Sequence, residues 1–582
     1  MTIWGAHISA RVQQLFAEKL MHIVSVNEVN ALLAGLSGIH RCFQSEEEWE
    51  EARVAFRDPV EANELPDRTE FGDFQTPPSL AGKVLGMIST EMAEPDIFIE
   101  PTCGKGHFVL AALQLFPVLK TIHALDIYRP YVWETKFSLI DHFLTHPDAH
   151  KPVIHIWHRN VFEFDFGEIP VQDDETVLVA GNPPWVTNAM LGSLESGNLP
   201  LKSNFKQYNG IDAVTGKGNF DIAENIVLML MRTFQHRKGN MALLIKNSVI
   251  RNIVSDQKKY SYAIGDIRQY NINSQREFDV KAEASLFRVR LDQDPSFTCS
   301  QFDFYKPDEQ LNVFGWEGEK YVSNIASYIQ NRYIDGSSPF EWRQGLKHDC
   351  TMVMEFEQED ELYRNAKGES FPLENNLVYG LLKSSDLQQE VVGTARKFTI
   401  VTQQKPGADT GYIRQSFPHT FSYLHRHRDL LDGRKSSIYK NKPPFSIFGI
   451  GSYSFRPYKI AISGLYKSFR FTLVLPQNGK PLMLDDTCYM LGFDEMDFAV
   501  YTCILLNAAP VKHFLQSVSF VDAKRTFTKE VLMRIDLLAL ARAFTLIEMQ
   551  QQLTYLELKH GLSVSLHRWE NYLQLLEEYA LS

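Results

Sequence analysis

The stretch VLVAGNPPWVTN, Val177 to Asn188, sets a run of apolar residues directly against a glycine, an amide, two prolines and a tryptophan. Val177, Leu178 and Val179 have the uninterrupted apolar character of a strand buried on both faces. One proline would be enough to turn the chain after Gly181. Asn182, Pro183, Pro184 and Trp185 together supply a rigid backbone, hydrogen-bonding groups and a flat ring, which makes this strand end a candidate site. Similar runs lie on either side: DIFIE, TIHALDI, MALLIKN and EASLFRVRL alternate with helical stretches such as FVLAALQLF between about residues 71 and 292. That alternation predicts an α/β domain, a mostly parallel sheet covered on both faces. Ligands of such sheets bind where strands end.

Three further strand ends carry suitable groups. In FIEPTCGKGHF, Phe98 to Phe108, a strand ends at Glu100, and Gly104 and Gly106 permit close backbone approach before a helix begins near Phe108. A plain strand–helix turn fits the glycines equally well; a carboxylate at the strand end suits a cationic ligand rather than a pyrophosphate. In IHALDIY, Asp126 closes the next strand, where it can accept from ribose hydroxyls or cap a helix. In WHRNVFEF, Asn160 and Phe162 can read and cover an adenine edge, or form a turn beside a core phenylalanine.

The 582 residues, 44% hydrophobic and 22% charged, are enough for several cores. A net charge of -12 rules out a globally basic surface but not a local basic cleft. Cys42, Cys103, Cys299, Cys350, Cys488 and Cys503 are scattered without a C-x-x-C pair, which argues against a zinc site or disulfide framework and fits a reducing cytoplasm. The N-terminus lacks a secretory pattern, and no uncharged apolar run approaches the roughly 18 residues of a membrane helix. A cytoplasmic protein without a membrane segment is expected.

The organisation reads as a helical segment over 1–70, the α/β domain over 71–292, a connector over 293–340, an aromatic, strand-rich α+β domain over 341–540, and C-terminal helices over 541–582. The run EEEWEE, Glu46 to Glu51, reads as a solvated helix face, and the tail as two amphipathic helices split near Gly561.

Taken in order, FQTPPSLAGKV (Phe74 to Val84), EPTCGKGHF, LDI, RNVF and NPPW strongly resemble the motif series of the S-adenosylmethionine-dependent amino-methyltransferases of DNA, in the gamma order with its T-P-x-x-L-A element first. FSIFGIGSYSFRPYKIAISGLYKSFRF, LDDTCYMLGF and DAKRTFTKEVLMRIDLL resemble the specificity domain of TaqI-like and Eco57I-like adenine methylases. Together the resemblance covers about residues 70 to 540; the N-terminal segment has no counterpart.

It implies a Rossmann-like methyltransferase domain over 71–292 and a DNA target-recognition domain over 341–540. The implied activity is site-specific N6-adenine methylation of duplex DNA, by the modification enzyme of a restriction–modification system. S-adenosylmethionine is the implied cofactor, with no metal. Thr76 and Pro77, with Glu100, would border its methionine part, Gly104 and Gly106 would let the backbone close around it, and Thr102 and Phe108 would bind the cofactor with them. Asp126 would hold the ribose, and Asn160 with Phe162 the adenine. Phe278, in REFDVKAEASLF, matches the family's second aromatic against the target base, although a core phenylalanine fits there too. Trp185 stands where Tyr or Phe is usual, and Asn160 where Asp is commoner.

The chemistry agrees with that assignment. The exocyclic nitrogen of adenine is a poor nucleophile, because its lone pair is delocalised. The Asn182 side-chain oxygen and the Pro183 carbonyl, kept in place by the Pro183–Pro184 step, can accept from its hydrogens, and Trp185 offers a stacking face. A base inside a duplex must be flipped out to reach them.

For DNA, Leu424 to Arg470 holds ten Lys or Arg against two acids, a local +8 interleaved with four tyrosines and preceded by Tyr423. Arg426, Arg428, Lys440, Lys442, Arg456, Lys459 and Lys467 are the expected phosphate contacts. A salt-bridged surface facing the acidic run EFEQEDE, Glu355 to Glu361, is the rival reading. The stretch Val186 to Asn219, with Lys202, Lys206 and Lys217, is expected to help hold the flipped base or its partner strand. Duplex DNA is the expected partner of a monomer, alongside a separately encoded cognate endonuclease. The alternatives are an RNA or protein-glutamine N-methyltransferase, or a DNA-binding subunit with little activity of its own. Cytosine is a further target, but Asn at 182 favours adenine in this family, where Ser or Thr would favour cytosine.

Overall fold

In the computed structural model, which describes residues 2–57, 73–187, 221–465, 469–520 and 527–581, the chain divides into two units, Met1–Tyr321 and Val322–Ser582. The first is built on β1 (Ile97–Glu100), β2 (Thr121–Asp126), β3 (Val153–His158), β4 (Val177–Gly181), β5 (Gly239–Lys246), β6 (Ile264–Asn271) and β7 (Ala284–Leu291). They lie in the order β3-β2-β1-β4-β5-β7-β6. The pairs from β3 to β5 are parallel, and β7 runs antiparallel between β5 and β6. Every residue of β1 and β4 is buried, which is why these strands read as continuous apolar runs instead of alternating.

The chain winds outward from β1 to β2 and β3, then returns to β4 on the other side of β1. The loops after β1 and β4 therefore part to opposite faces and leave a crevice at the strand ends. Glu100 and Asp126 terminate β1 and β2, Asn182 follows β4 directly, and Asn160 lies two residues past β3. All four residues singled out in the sequence stand at one edge.

Two expected boundaries differ. Residues 293–340 do not start as a connector: β8 (Thr298–Asp303) pairs parallel with β6, and β9 (Lys306–Glu317) pairs antiparallel with β8. The first half of β9 is exposed, so its polar sequence carries no buried-strand signal.

The N-terminal segment is part of the same core. The backbone of Gly38 and His40 exchanges hydrogen bonds with Ile154, adding a bridge to the β3 edge. Phe16, Phe43 and Trp49 join Trp133 and Phe137 of the helix Arg129–Thr145 in one aromatic cluster. Glu46, Glu47, Glu50 and Glu51 of EEEWEE do face solvent, but Glu48 is half-buried and Trp49 fully buried, its indole N–H donating to the Ile23 carbonyl at 3.0 Å.

The second unit is α+β. Its strands form a five-stranded and a six-stranded sheet. The helix Met496–Leu506 packs on the five-stranded one, and Ala509–Val518 packs on the helix Ile325–Asn331 within the same core. The tail forms helices Leu546–His560 and Trp569–Leu581, split by the left-handed cap Gly561. Tyr572 and Trp569 pack on Tyr501, so these helices belong to that core. Among the described residues, no single helix is long and apolar enough to cross a membrane.

Candidate active site

The loop after β1 turns through Gly104 and Gly106 in left-handed conformations, φ +52° and +77°. A Cβ on Gly106 would lie 2.7 Å from the Thr135 side chain, so only glycine fits between this turn and the helix Arg129–Thr145. Thr135 Oγ1 donates to the Gly104 carbonyl at 3.0 Å. Asp126 clamps the turn from β2: one carboxylate oxygen accepts from Gly104 N–H at 2.9 Å, the other from Tyr128 N–H at 2.8 Å. Both bonds go to backbone N–H groups beside the strand end, and Tyr128, not Asp126, is the N-cap of the helix Arg129–Thr145. On the other side, Gln75 accepts from Lys105 N–H at 3.1 Å. Thr76 is buried beside it, its carbonyl 2.7 Å from His107 Nδ1, and Pro77 starts the helix Pro78–Ser89.

Glu100 lies at the floor. It is 2% exposed, and its Oε2 is buried without a hydrogen-bond partner. Burial, and then the nearby Asp126 charge, hold its carboxyl well above the usual carboxylate range. Gly181, at φ +155°, packs on it from β4: a Cβ there would meet Glu100 Cγ at 3.3 Å.

Asn182 follows. Its Nδ2 donates to the Phe74 carbonyl at 2.9 Å. That acceptor fixes which end of the amide is which, because only nitrogen can donate. The other end, Asn182 Oδ1, is buried without a partner. Thr102 Oγ1 donates to the Asn182 carbonyl at 3.4 Å, tying the β1 and β4 loops together. Pro183 is buried and Pro184 half-buried. Trp185 is 4% exposed, its indole N–H donating to the Leu244 carbonyl of β5 at 3.1 Å. Phe74 packs on its ring at 5.5 Å and Phe278 meets it edge-on at 5.0 Å, a three-ring wall beside Asn182.

Two members of the expected set are more structural than their motifs imply. Phe108 is 1% exposed and sits in the core beneath the turn. Asn160 Oδ1 accepts from Phe162 N–H at 3.1 Å, capping a short 3-10 turn as the alternative reading has it; Phe162 is half-buried.

Phe74, Gln75 and Thr135 also build the site. The first two lie inside the quoted FQTPP element, but a role carried by a backbone carbonyl or by contact with a distant turn leaves no mark on residue type. Thr135, within a helix, carries no signal at all. Beyond β4, Thr187 bridges to Asp221, and Ile222 N–H donates to the Val186 carbonyl at 2.8 Å. Asp221 is held by Lys246 of β5 at 2.7 Å. Residues 188–220, with Lys202, Lys206 and Lys217, lie outside the described residues.

The basic stretch of the second unit is mixed. Arg426, Arg428, Lys440 and Lys442 are exposed, with Arg428 paired to Asp432 and Arg426 over the Phe371 ring. Arg456 is also exposed, and it donates to the Gly492 carbonyl at 2.8 Å. Lys459 corrects the expectation. It lies on the strand Tyr458–Ser463 at 0% exposure and donates to the Arg456 carbonyl at 2.7 Å, out of reach of a phosphate. Lys467 lies outside the described residues. The acidic run finds its partners elsewhere: Glu355 with Lys383, Glu357 with Lys397, Glu359 with Arg364.

No family model matches the chain. The type II methyltransferase M.NspV of Nostoc sp. (strain ATCC 29411 / PCC 7524) is 37% identical over 478 residues, 82% of this chain and 98% of the relative. Among solved structures, the Type IIL restriction-modification enzyme MmeI, determined in complex with DNA, superposes with a TM-score of 0.52 at 12% identity. That match covers 99% of this chain and 93% of MmeI, a likeness of fold. With a doubly wound sheet, a glycine turn clamped by Asp126 and unpaired acceptors at both central strand ends, the chain belongs to the type II methyltransferases.

Proposed function

We propose that this protein methylates the N6 nitrogen of adenine at a specific site in duplex DNA, using S-adenosylmethionine, as the modification enzyme of a restriction–modification system. The observation that carries this reading is Asn182: one end of its amide is spent on the Phe74 carbonyl, and the other is a buried acceptor with nothing to accept from. A buried acceptor left unmade costs about 1–3 kcal/mol, a cost relieved when a ligand donates to it.

The residues fit the cofactor. Glu100 Oε2, the second buried orphan, suits a cationic group. Asp126 is the ribose acceptor, and Asn160 Nδ2 with the Phe162 ring the adenine contact. S-adenosylmethionine, when bound, supplies a methyl group already activated on a sulfonium.

The protein's part is orientation. Asn182 Oδ1 and the Pro183 carbonyl accept from the two amino hydrogens, drawing the lone pair out of the ring and aiming it. The diproline step keeps both acceptors fixed, so no reorganisation is needed as charge develops. Trp185 and Phe278 are the stacking partners of a base flipped from the duplex. The exposed Arg426, Arg428, Lys440 and Lys442 are the proposed phosphate contacts, on a monomer acting in the cytoplasm beside a separately encoded endonuclease. M.NspV's naming as a type II methyltransferase and MmeI's determination with DNA support the substrate class.

The test is expression in a host lacking adenine methylation, with modification-sensitive single-molecule sequencing of its genomic DNA. N6-methyladenine at one short motif, absent with Asn182→Ala, is the expected result. N4-methylcytosine would overturn the base, and no DNA mark from a folded protein that binds S-adenosylmethionine would overturn DNA as substrate.

A further inference from the structure

The β8–β9 hairpin reaches the candidate pocket. Because β8 runs parallel to β6, its turn emerges at the same sheet edge as the end of β6, which leads into the five-residue helix Ser274–Phe278. Phe304 N–H donates to the Asn271 carbonyl at 3.2 Å, and its side chain is buried in the core. The next residue, Tyr305, is exposed and covers the helix instead. Its hydroxyl donates to Glu277 Oε1 at 2.8 Å and accepts from Asn273 N–H at 3.3 Å, while Arg276 lies 4.9 Å over its ring. Asp303 secures the turn by accepting from Tyr305 N–H at 2.7 Å.

A helix of five residues is too short to persist by itself. Asn273 caps its start, accepting from Arg276 N–H at 3.0 Å, and Asp279 ends it at φ +56°. Tyr305 ties down the N-cap Asn273 and the penultimate residue Glu277, and Phe278, the last, carries the ring that meets Trp185.

We propose that Tyr305 is a positioning residue for the target-base pocket, holding the helix Ser274–Phe278 so that Phe278 closes on Trp185 and on the base beside it. This rests on the reading of Trp185 and Phe278 as the walls of that pocket. Tyr305 touches no reacting atom; it acts through Phe278.

The test compares Tyr305→Ala and Tyr305→Phe with the unaltered full-length chain. In Tyr305→Ala, amide hydrogen exchange over residues 273–280 should rise about tenfold, with β5 and β7 unchanged. The single-turnover rate of adenine methylation on a duplex carrying the recognition site should fall about tenfold, the scale of a slight misplacement of reacting groups. The dissociation constants for duplex and for S-adenosylmethionine should not change. Tyr305→Phe, which keeps the ring under Arg276, should fall between. Tyr305→Ala combined with Phe278→Ala should be no slower than Phe278→Ala alone, because both act through one element.

Unchanged exchange at 273–280, an equal or faster methylation rate, or additive effects in the double variant would overturn the proposal. Exchange is read without DNA. Absence of adenine methylation by the unaltered chain would therefore sink the substrate assignment, and the exchange result alone would decide the role of Tyr305.

Discussion

Two regions rich in polar side chains end up in opposite conditions. At the edge of the first unit's sheet, Glu100 Oε2 and Asn182 Oδ1 remain buried and unpaired after every neighbouring contact is made. In the basic stretch of the second unit, half-buried Arg434 donates to the carbonyls of Leu431, His348 and Ser446, Lys459 to that of Arg456, and Arg470 to that of Gln388. The first arrangement costs stability and is kept, the mark of a site awaiting groups from outside. The second spends its charge on holding the chain's own backbone. Charge counted along a sequence does not separate these cases; what remains unsatisfied in the fold does.

The sharpest way to break this contrast is Asn182→Ala. If the orphan oxygen is the acceptor for the target amine, single-turnover methylation should drop by about 10²–10³-fold, the usual loss for one preorganised polar group. Cofactor affinity and melting temperature should stay close to those of the unaltered protein. A variant within tenfold of normal activity would mean that Oδ1 is unpaired for another reason.

Glu100→Gln comes next. The raised carboxyl of Glu100 means that the folded protein holds its proton to higher pH than the unfolded chain does. Its contribution to stability is therefore complete below the unfolded value near pH 4.3 and is lost as pH rises through the higher folded value. Cofactor binding has the opposite dependence: a cationic ligand favours the ionised carboxylate, so affinity should rise with pH through the same range and release a proton. Glu100→Gln should weaken binding about tenfold and flatten both profiles. Isothermal titration in buffers of different ionisation enthalpy reads the proton directly; the same proton release in Glu100→Gln would place the titration elsewhere.

What the sequence made legible follows the same division. The sheet edge was readable because buried parallel strands must be apolar throughout, as IFIE and VLVAG are, and because their ends must change abruptly to Glu100, Gly104 and Asn182. β8 and β9 were not readable, since an edge hairpin such as QFDFYKPDEQ is half solvated and keeps a mixed composition. Its Tyr305 touches the pocket's helix through a parallel pairing that no local pattern encodes. Lys459 misled for a related reason. Within RPYKIAIS it alternates with apolar residues as a solvent-facing lysine would, but its strand is covered on both faces.

Charge removal in the basic stretch gives a smaller effect. Lys440→Ala and Lys442→Ala, on exposed backbone with no ion pair for either among the described residues, should each weaken duplex binding uniformly across sequences and reduce the salt slope by about 1. Filter binding between low and moderate salt measures both. A loss confined to the recognition sequence would make them base readers instead.

Lys459→Met should change DNA binding least, and here the value lies in the null effect beside a clear one on stability. Burial lowers the Lys459 ammonium to about 7, while the unfolded chain takes up that proton near pH 10.4. A depressed lysine contributes stability that is present above the unfolded value and is lost as pH falls toward the folded one. The unaltered protein should thus lose stability between about pH 10 and pH 7 by an amount that Lys459→Met, similar in length and uncharged, does not. Denaturant melts at those two pH values test this, and duplex affinity at one salt concentration tests the rest. If Lys459→Met lowered affinity and the salt slope as Lys440→Ala does, the strand Tyr458–Ser463 would have to open on DNA, and the line between charge that binds and charge that builds would run elsewhere in this unit.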